Sequence, residues 1–251
     1  MRRILAALMT VLFVGGLALA DERSDDLGRI QSAATVLDEI MAARDKGVPE
    51  DILGSAKCVA VVPSMLKGAF FVGVNRGKGI ASCRTANGWS APAFFVIEGG
   101  SLGFQWGGQA IDLIMLVMNE NGMRHLLTSK FKLGADASVA AGPVGRQAEG
   151  MTDVTMRAEV LTYSRARGVF AGISLNGASI RQHNNDTRAF YGRMVPFRTL
   201  LAGNINPPPK EAAPWLAALR KYAPIAPAST ARPVPRAKKG PAETEKEDKP
   251  E

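Results

Sequence analysis

The chain has 251 residues, 46% of them apolar and 22% charged, with a formal net charge of +8. That is enough for one sizeable domain with a buried core, and the mildly basic balance suits an anionic membrane surface or an acidic partner, as it also suits many solvated surfaces. His125 and His183 stand alone and no Cys-x-x-Cys occurs, so local spacing assembles no metal site, and the glycines from Gly73 to Gly79 lack the Gly-Lys-Ser/Thr ending of a phosphate loop.

Met1 to Ala20 reads as an export leader. Arg2 and Arg3 form a positive start, Ile4 to Leu17 an apolar stretch, and Ala18-Leu19-Ala20 a small-x-small cleavage site. Setting the two leader arginines aside lowers the formal charge from +8 to +6. The mature chain then starts at Asp21. From Asp25 to Arg44, Leu27, Ile30, Ala34, Leu37 and Met41 recur at spacings of three and four, which predicts an amphipathic helix stopped by Lys46-Gly47. Its polar face mixes acids and bases, which favours core packing over a membrane-surface helix. Pro49 opens a short helical turn with acids at its start.

Cys58 to Val62, Ala69 to Val74 and Ile80 to Arg84 are short strand-like runs, the last following a Gly-rich turn with Arg76, Gly77, Lys78 and Gly79. Cys58 and Cys83 lie about one hairpin apart; they pair, or they are two small buried apolar groups. Asn87-Gly88 signals a hairpin turn, and the strand from Trp89 to Ile97 has to place Pro92 at an edge or bulge. The stretch Ser90 to Asp112 alternates apolar runs with glycines and reads as the seam of a β core. Ala135 to Gly150 has the same small-residue character, which suggests that the two segments pack against each other.

Ile111 to Met118 is a buried strand by its position among strands, Glu120 to Ser129 a short helix, and Met156 to Tyr163 a half-exposed strand. Ser164 to Gly168 makes a basic turn, with Val169 to Leu175 as partner strand. Asn184 to Tyr191 is a polar turn or short helix, and Ala213 to Tyr222 a last helix with Pro214 near its start. From Ala223 the chain is rich in Pro, Ala, Lys and Glu, the composition of a disordered tail.

No Gly-x-Ser-x-Gly elbow is present, and Glu98 and Asp112 are better read as polar strand-end residues than as a catalytic carboxylate pair. What remains is a set of basic residues in turns: Lys67, Arg76, Lys78, Lys130, Lys132, Arg165 and Arg167. Turns cluster at the ends of a β core, so several can share one face and bind an anionic bilayer, each contributing on the order of 1 kcal/mol. Met65, Leu66, Phe70 and Phe71 offer an apolar wedge beside Lys67. A solvated basic rim over core aromatics fits the same residues.

The ordered run of motifs resembles a known family. Lys67-Gly68-Ala69-Phe70, Trp89-Ser90-Ala91-Pro92-Ala93-Phe94, Gly99-Gly100-Ser101-Leu102-Gly103-Phe104-Gln105, Ala140-Ala141-Gly142-Pro143-Val144-Gly145-Arg146, Tyr163-Ser164-Arg165-Ala166-Arg167-Gly168 and Tyr191-Gly192 are similar to the SYLF domain, over about Ile30 to Tyr191. That resemblance implies binding of phospholipid or phosphoinositide, actin binding in some eukaryotic members, and no catalysis. Lys67, Arg165 and Arg167 lie within matching motifs; the other basic residues rest on charge alone.

The expectation is therefore an α+β single domain: an antiparallel β core, sandwich or barrel-like, flanked by N-terminal and C-terminal helices. Residues 1–20 are the leader, 21–222 the domain and 223–251 the tail. The domain is expected in the periplasm, peripheral to a membrane, binding anionic phospholipid without a cofactor or nucleic acid. A structural or protein-interaction module of the envelope, recruiting a partner through the tail, is the alternative, and a hydrolase using Asp112 or Glu98 a more distant one.

Overall fold

Two long strands, β1 (Cys58–Phe70) and β2 (Val72–Thr85), pair as one antiparallel hairpin at the centre of the molecule. The computed structural model describes residues 2–43, 47–70, 72–101, 107–144, 157–166, 169–172 and 175–225. Around the hairpin lie β3 (Gly88–Trp89), β4 (Ala93–Ser101), β5 (Gly107–Val117), β6 (Lys130–Lys132), β7 (Val139–Ala141), β8 (Val160–Ala166), β9 (Val169–Gly172) and β10 (Ser179–Gln182). They form a ten-stranded sheet in the order β6-β10-β4-β2-β1-β5-β8-β7, with β3 on β2 and β9 on β8. Among the described residues every pairing between these strands is antiparallel except β7 with β8. The fold is thus a mixed α+β domain in which a curled, mostly antiparallel half-barrel sheet carries helices at both chain ends.

The expected glycine turn before Ile80 is instead the interior of β2. Gly77 and Gly79 sit there because a Cβ at Gly77 would lie 2.4 Å from Val62 and one at Gly79 would lie 2.6 Å from both Phe95 and the Val61 carbonyl. Their role is close approach, not turning. Pro92 lies in the break between β3 and β4, where no ladder hydrogen bond is required of it. The strand expected from Met156 begins at Val160, Met156 itself lying outside the described residues. Ala135–Gly150 and Ser90–Asp112 share a buried cluster instead of lying as neighbouring strands: Ala137 joins Ala93, Phe95, Ile97 and Ile111, while residues 102–106 and 145–150 lie outside the described residues. β7 joins β8, and β8 stands between it and β5.

Alternation sends the sheet's side chains into two cores. On one face Val59, Val61, Ile80, Phe94, Ile114, Leu116 and Tyr163 meet helices. These are α1 (Arg2–Ala42), α2 (Glu50–Ser55), α4 (Asn184–Tyr191) and α6 (Ala213–Tyr222), with α3 being Glu120–Leu126. Ile30, Ala33, Ala34, Leu37 and Ile40 of α1 form the stripe that the spacing predicts. On the concave face Ala60, Val62, Met65, Phe95, Ile97, Leu113 and Met115 surround α5 (Phe197–Leu201) and the curled-over Phe131 and Ile180. Sequence reading missed both α5 and β10.

Cys58 and Cys83 face each other across the hairpin and are joined as a disulfide in the concave core. Asp112 accepts the Ser64 N–H at 3.0 Å, holding a β1 bulge where Ser64 adopts φ 52°. Trp215 is fully buried and donates its indole N–H to Ser82 at 2.9 Å. The chain stays folded past the last helix: Trp89 donates to the Ala223 carbonyl at 3.1 Å and Arg84 to that of Pro224 at 2.9 Å. Arg84 also caps the end of α2 through the Gly54 and Ala56 carbonyls. The expected tail, 223–251, is thus corrected at its start, where Ala223 and Pro224 are held by the domain, and residues 226–251 lie outside the described residues. Among the described residues no helix is long and apolar enough to cross a membrane.

Candidate functional site

Cross-strand register places the basic residues. Directly opposed residues in an antiparallel sheet share a face, so one row reads Lys132, Ser179, Glu98, Arg76, Leu66 and Ala110 across β6, β10, β4, β2, β1 and β5. The next row reads Lys130, Arg181, Val96 and Lys78. Both lie on the face that α1 covers farther along the sheet, since Phe131, Ile180, Ile97 and Met65 point into the concave core.

Four of the seven predicted residues, Arg76, Lys78, Lys130 and Lys132, are therefore brought onto one face. Arg181 joins them, and sequence reading missed it because Ser179–Gln182 carries a single apolar residue, too weak an alternation to announce a strand. Lys130 and Lys132 are exposed, Arg76 is 63% and Arg181 41% exposed. Glu98 lies between the two arginines, 3.3 Å from each. It orients them as one charged strip and leaves the face cationic, with Asp136 at the outer end accepting the Lys132 backbone N–H at 2.7 Å.

The other three are elsewhere. Arg165 on β8 is engaged by Asp112 and by Glu39 of α1, a clasp between helix and sheet. Lys67 occupies the β1 position opposite Asn75 and Gln109, its side chain outside the described set, as is all of Arg167. Of the wedge residues, Leu66 is 66% exposed, whereas Met65 is fully buried in the concave core. Phe71 lies outside the described residues, as does the side chain of Phe70. Glu98 and Asp112 are on strands three spacings apart, about 14 Å. That separation and their separate arginine partners remove the carboxylate pair.

Lys78 is tied into a buried charge cluster. Its ammonium lies 2.9 Å from Asp186, whose carboxylate also lies 2.9 Å from His183 Nδ1 and 2.9 Å from Arg29 of α1. Arg29 reaches the fully buried Asp26 as well, at 2.6 Å, leaving Asp26 Oδ2 without a partner. Burial, then the neighbouring Asp186 charge, push the Asp26 carboxyl up to about 7, against the pull of Arg29 and Lys78. Burial opposes ionisation of Asp186 too, but hydrogen bonds from His183 and Lys78 and the charge of Arg29 hold it below the usual carboxylate range.

A pH prediction follows from Asp26. Its proton affinity is higher folded than unfolded, so its contribution to stability is full below pH 3.8 and is lost as pH rises toward about 7. Asp26→Asn, a permanent stand-in for the protonated form, is expected to leave stability near pH 4 almost unchanged. At pH 8 it should raise it by on the order of 4 kcal/mol, about three pKa units. Urea unfolding at the two pH values checks this, and an equal effect at both would contradict it.

Fold and face together define a class: a curled-sheet domain clamped by an N-terminal helix and presenting an open cationic surface. The family model described as Las17-binding protein actin regulator matches residues 98–222. LAS seventeen-binding protein 3 of Saccharomyces cerevisiae is 33% identical over 171 residues, 66% of this chain and 37% of that protein. SH3 domain-containing YSC84-like protein 1 is 36% identical over 151 residues in Xenopus laevis (59% and 45%) and 33% over 170 in Homo sapiens (67% and 49%). The chain belongs to the Ysc84/SYLF domain family. It spans less than half the length of these curated relatives.

Proposed function

We propose that the chain is an exported, non-catalytic domain that adheres to anionic phospholipid at a cell-envelope membrane through the face built by Lys130, Lys132, Arg181 and Arg76. The observation that carries this reading is the register of β6, β10, β4 and β2, which gathers cations distant in sequence into two adjacent rows. Each cation near an anionic surface contributes on the order of 1 kcal/mol, screened beyond roughly 10 Å at 0.1 M salt. Export is supported by the leader composition and by the Cys58–Cys83 disulfide. The actin regulation in the family description belongs to that description; in this reading the lipid-facing surface is what the exported domain retains.

Co-sedimentation of the chain from Asp21 with vesicles tests this. Binding is expected to vesicles containing phosphatidylglycerol or cardiolipin, not to neutral ones, and to weaken with salt. Charge reversal by Lys130→Glu, Lys132→Glu and Arg181→Glu together is expected to reduce it more than a hundredfold, on the order of 1 kcal/mol per cation removed. Unchanged binding by this variant would exclude the face. No binding of the parent chain would favour the envelope-interaction reading.

A further inference from the structure

The chain leaves the described domain on the face that carries the cations. Ala223 is buried in the core cluster between the sheet and α1, and Arg84 of β2 holds the Pro224 carbonyl at 2.9 Å. The row of Arg76 and Glu98 lies on that same side, eight residues farther along β2, about 26 Å at the usual rise per residue. Lys132 stands three strand spacings to the side of Arg76, about 14 Å. Among the described residues no salt bridge engages Lys130 or Lys132, and Arg76 and Arg181 share the single carboxylate of Glu98. This face therefore has more cations than its own carboxylates satisfy.

The sequence beyond that exit separates its charges. Residues 226–239 hold Arg232, Arg236, Lys238 and Lys239 and no acid, whereas 240–251 hold Glu243, Glu245, Glu247, Asp248 and Glu251 against two lysines, a net charge of −3. From Pro224 to Glu243 is 19 residues, a span of up to about 63 Å at full extension, twice the ~30 Å diagonal to Lys132. Pairing with Lys238 and Lys239, close by in sequence, competes for the same acids, but an exposed local pair contributes little. The sheet instead gathers four cations at fixed spacing, so several pairs form for one ordering of the segment. We infer that the acidic segment 243–251 of this chain docks on the face of Arg76, Arg181, Lys130 and Lys132 and competes there with anionic phospholipid. The competition rests on the phospholipid reading above; the docking rests on register, charge and reach.

Carbodiimide coupling, which joins a carboxylate to an amine in contact with it, tests the docking without lipid on the chain from Asp21 to Glu251. At low salt, peptide mapping of the monomer is expected to show Lys130 or Lys132 joined to a carboxylate in 243–251, and ~0.5 M salt to abolish the link. Coupling of those carboxylates to Lys238 or Lys239 only, or to no lysine of the domain, overturns the docking. On phosphatidylglycerol vesicles, ending the chain at Gly240 is expected to tighten binding about tenfold, as for a face left open a tenth of the time. Glu243→Gln, Glu245→Gln, Glu247→Gln, Asp248→Asn and Glu251→Gln together are expected to do the same at full length. Unchanged binding in both variants, with the links present, overturns the competition. Absence of vesicle binding by every chain overturns the phospholipid reading and leaves the docking to stand on the links.

Discussion

Asp186→Ala is expected to lower folding stability by about 3–5 kcal/mol, the cost of leaving buried charges without their partner. The carboxylate is 1% exposed and joins three elements: Lys78 of β2, His183 ahead of α4, and Arg29 of α1. Its loss leaves Arg29, 12% exposed, with Asp26 alone among the described carboxylates. The drop in melting temperature should be about 10 °C for a domain of this size. Asp186→Asn keeps the shape and should fall between the two.

The pH dependence separates this cluster from a packing effect. Because the Asp186 carboxyl is held below its usual range, its contribution is full above pH 3.8 and is lost as acidification passes its folded value. The parent chain should therefore lose stability steeply below that pH, and Asp186→Ala should lose this limb. An acid limb of undiminished steepness in the variant would show that other carboxylates govern acid unfolding. Hydrogen exchange is expected to rise first in the stretch of α1 around Arg29, since this cluster is among its ties to the sheet.

Gly79→Ala is expected to cost about 3 kcal/mol, as insertion of a methyl group into a packed core does. The new Cβ would lie 2.6 Å from both Phe95 Cζ and the Val61 carbonyl oxygen, and 2.7 Å from Val62. The carbonyl belongs to the neighbouring central strand and has little freedom to retreat. Were residues 76–79 the surface turn that the glycines suggest, alanine would be nearly neutral. Gly28→Ala on α1 is the matched control: nothing lies within 4 Å of its added Cβ, so it should stabilise by up to about 1 kcal/mol. Equal unfolding free energies for the two variants would contradict the placement of Gly79 in β2.

Local chemistry explains which parts were legible. The α1 stripe, the turn at Asn87-Gly88, the β5 strand and the α6 helix with Pro214 in its first turn each announce themselves within a dozen residues. Glycine misled at Gly77 and Gly79 because the same residue serves turns and close strand contacts, and only the neighbouring strand distinguishes them. β10 was silent because Ser179–Gln182 is short and three-quarters polar, its strand state imposed by β4 and β6 on either side.

By itself the sequence determined the α+β class, the basic residues available and the order of the main elements, because composition and periodicity are properties of contiguous chain; the family resemblance came from the ordered run of motifs. Tertiary structure alone decided which charges act together. Arg76, Arg181 and Lys132 are separated by dozens of residues and meet through register, while Arg165 is drawn to Asp112 and Glu39 and Lys78 into the Asp186 cluster. A charge's partner depends on the strand beside it, and strand order is set by how the whole sheet buries its two faces.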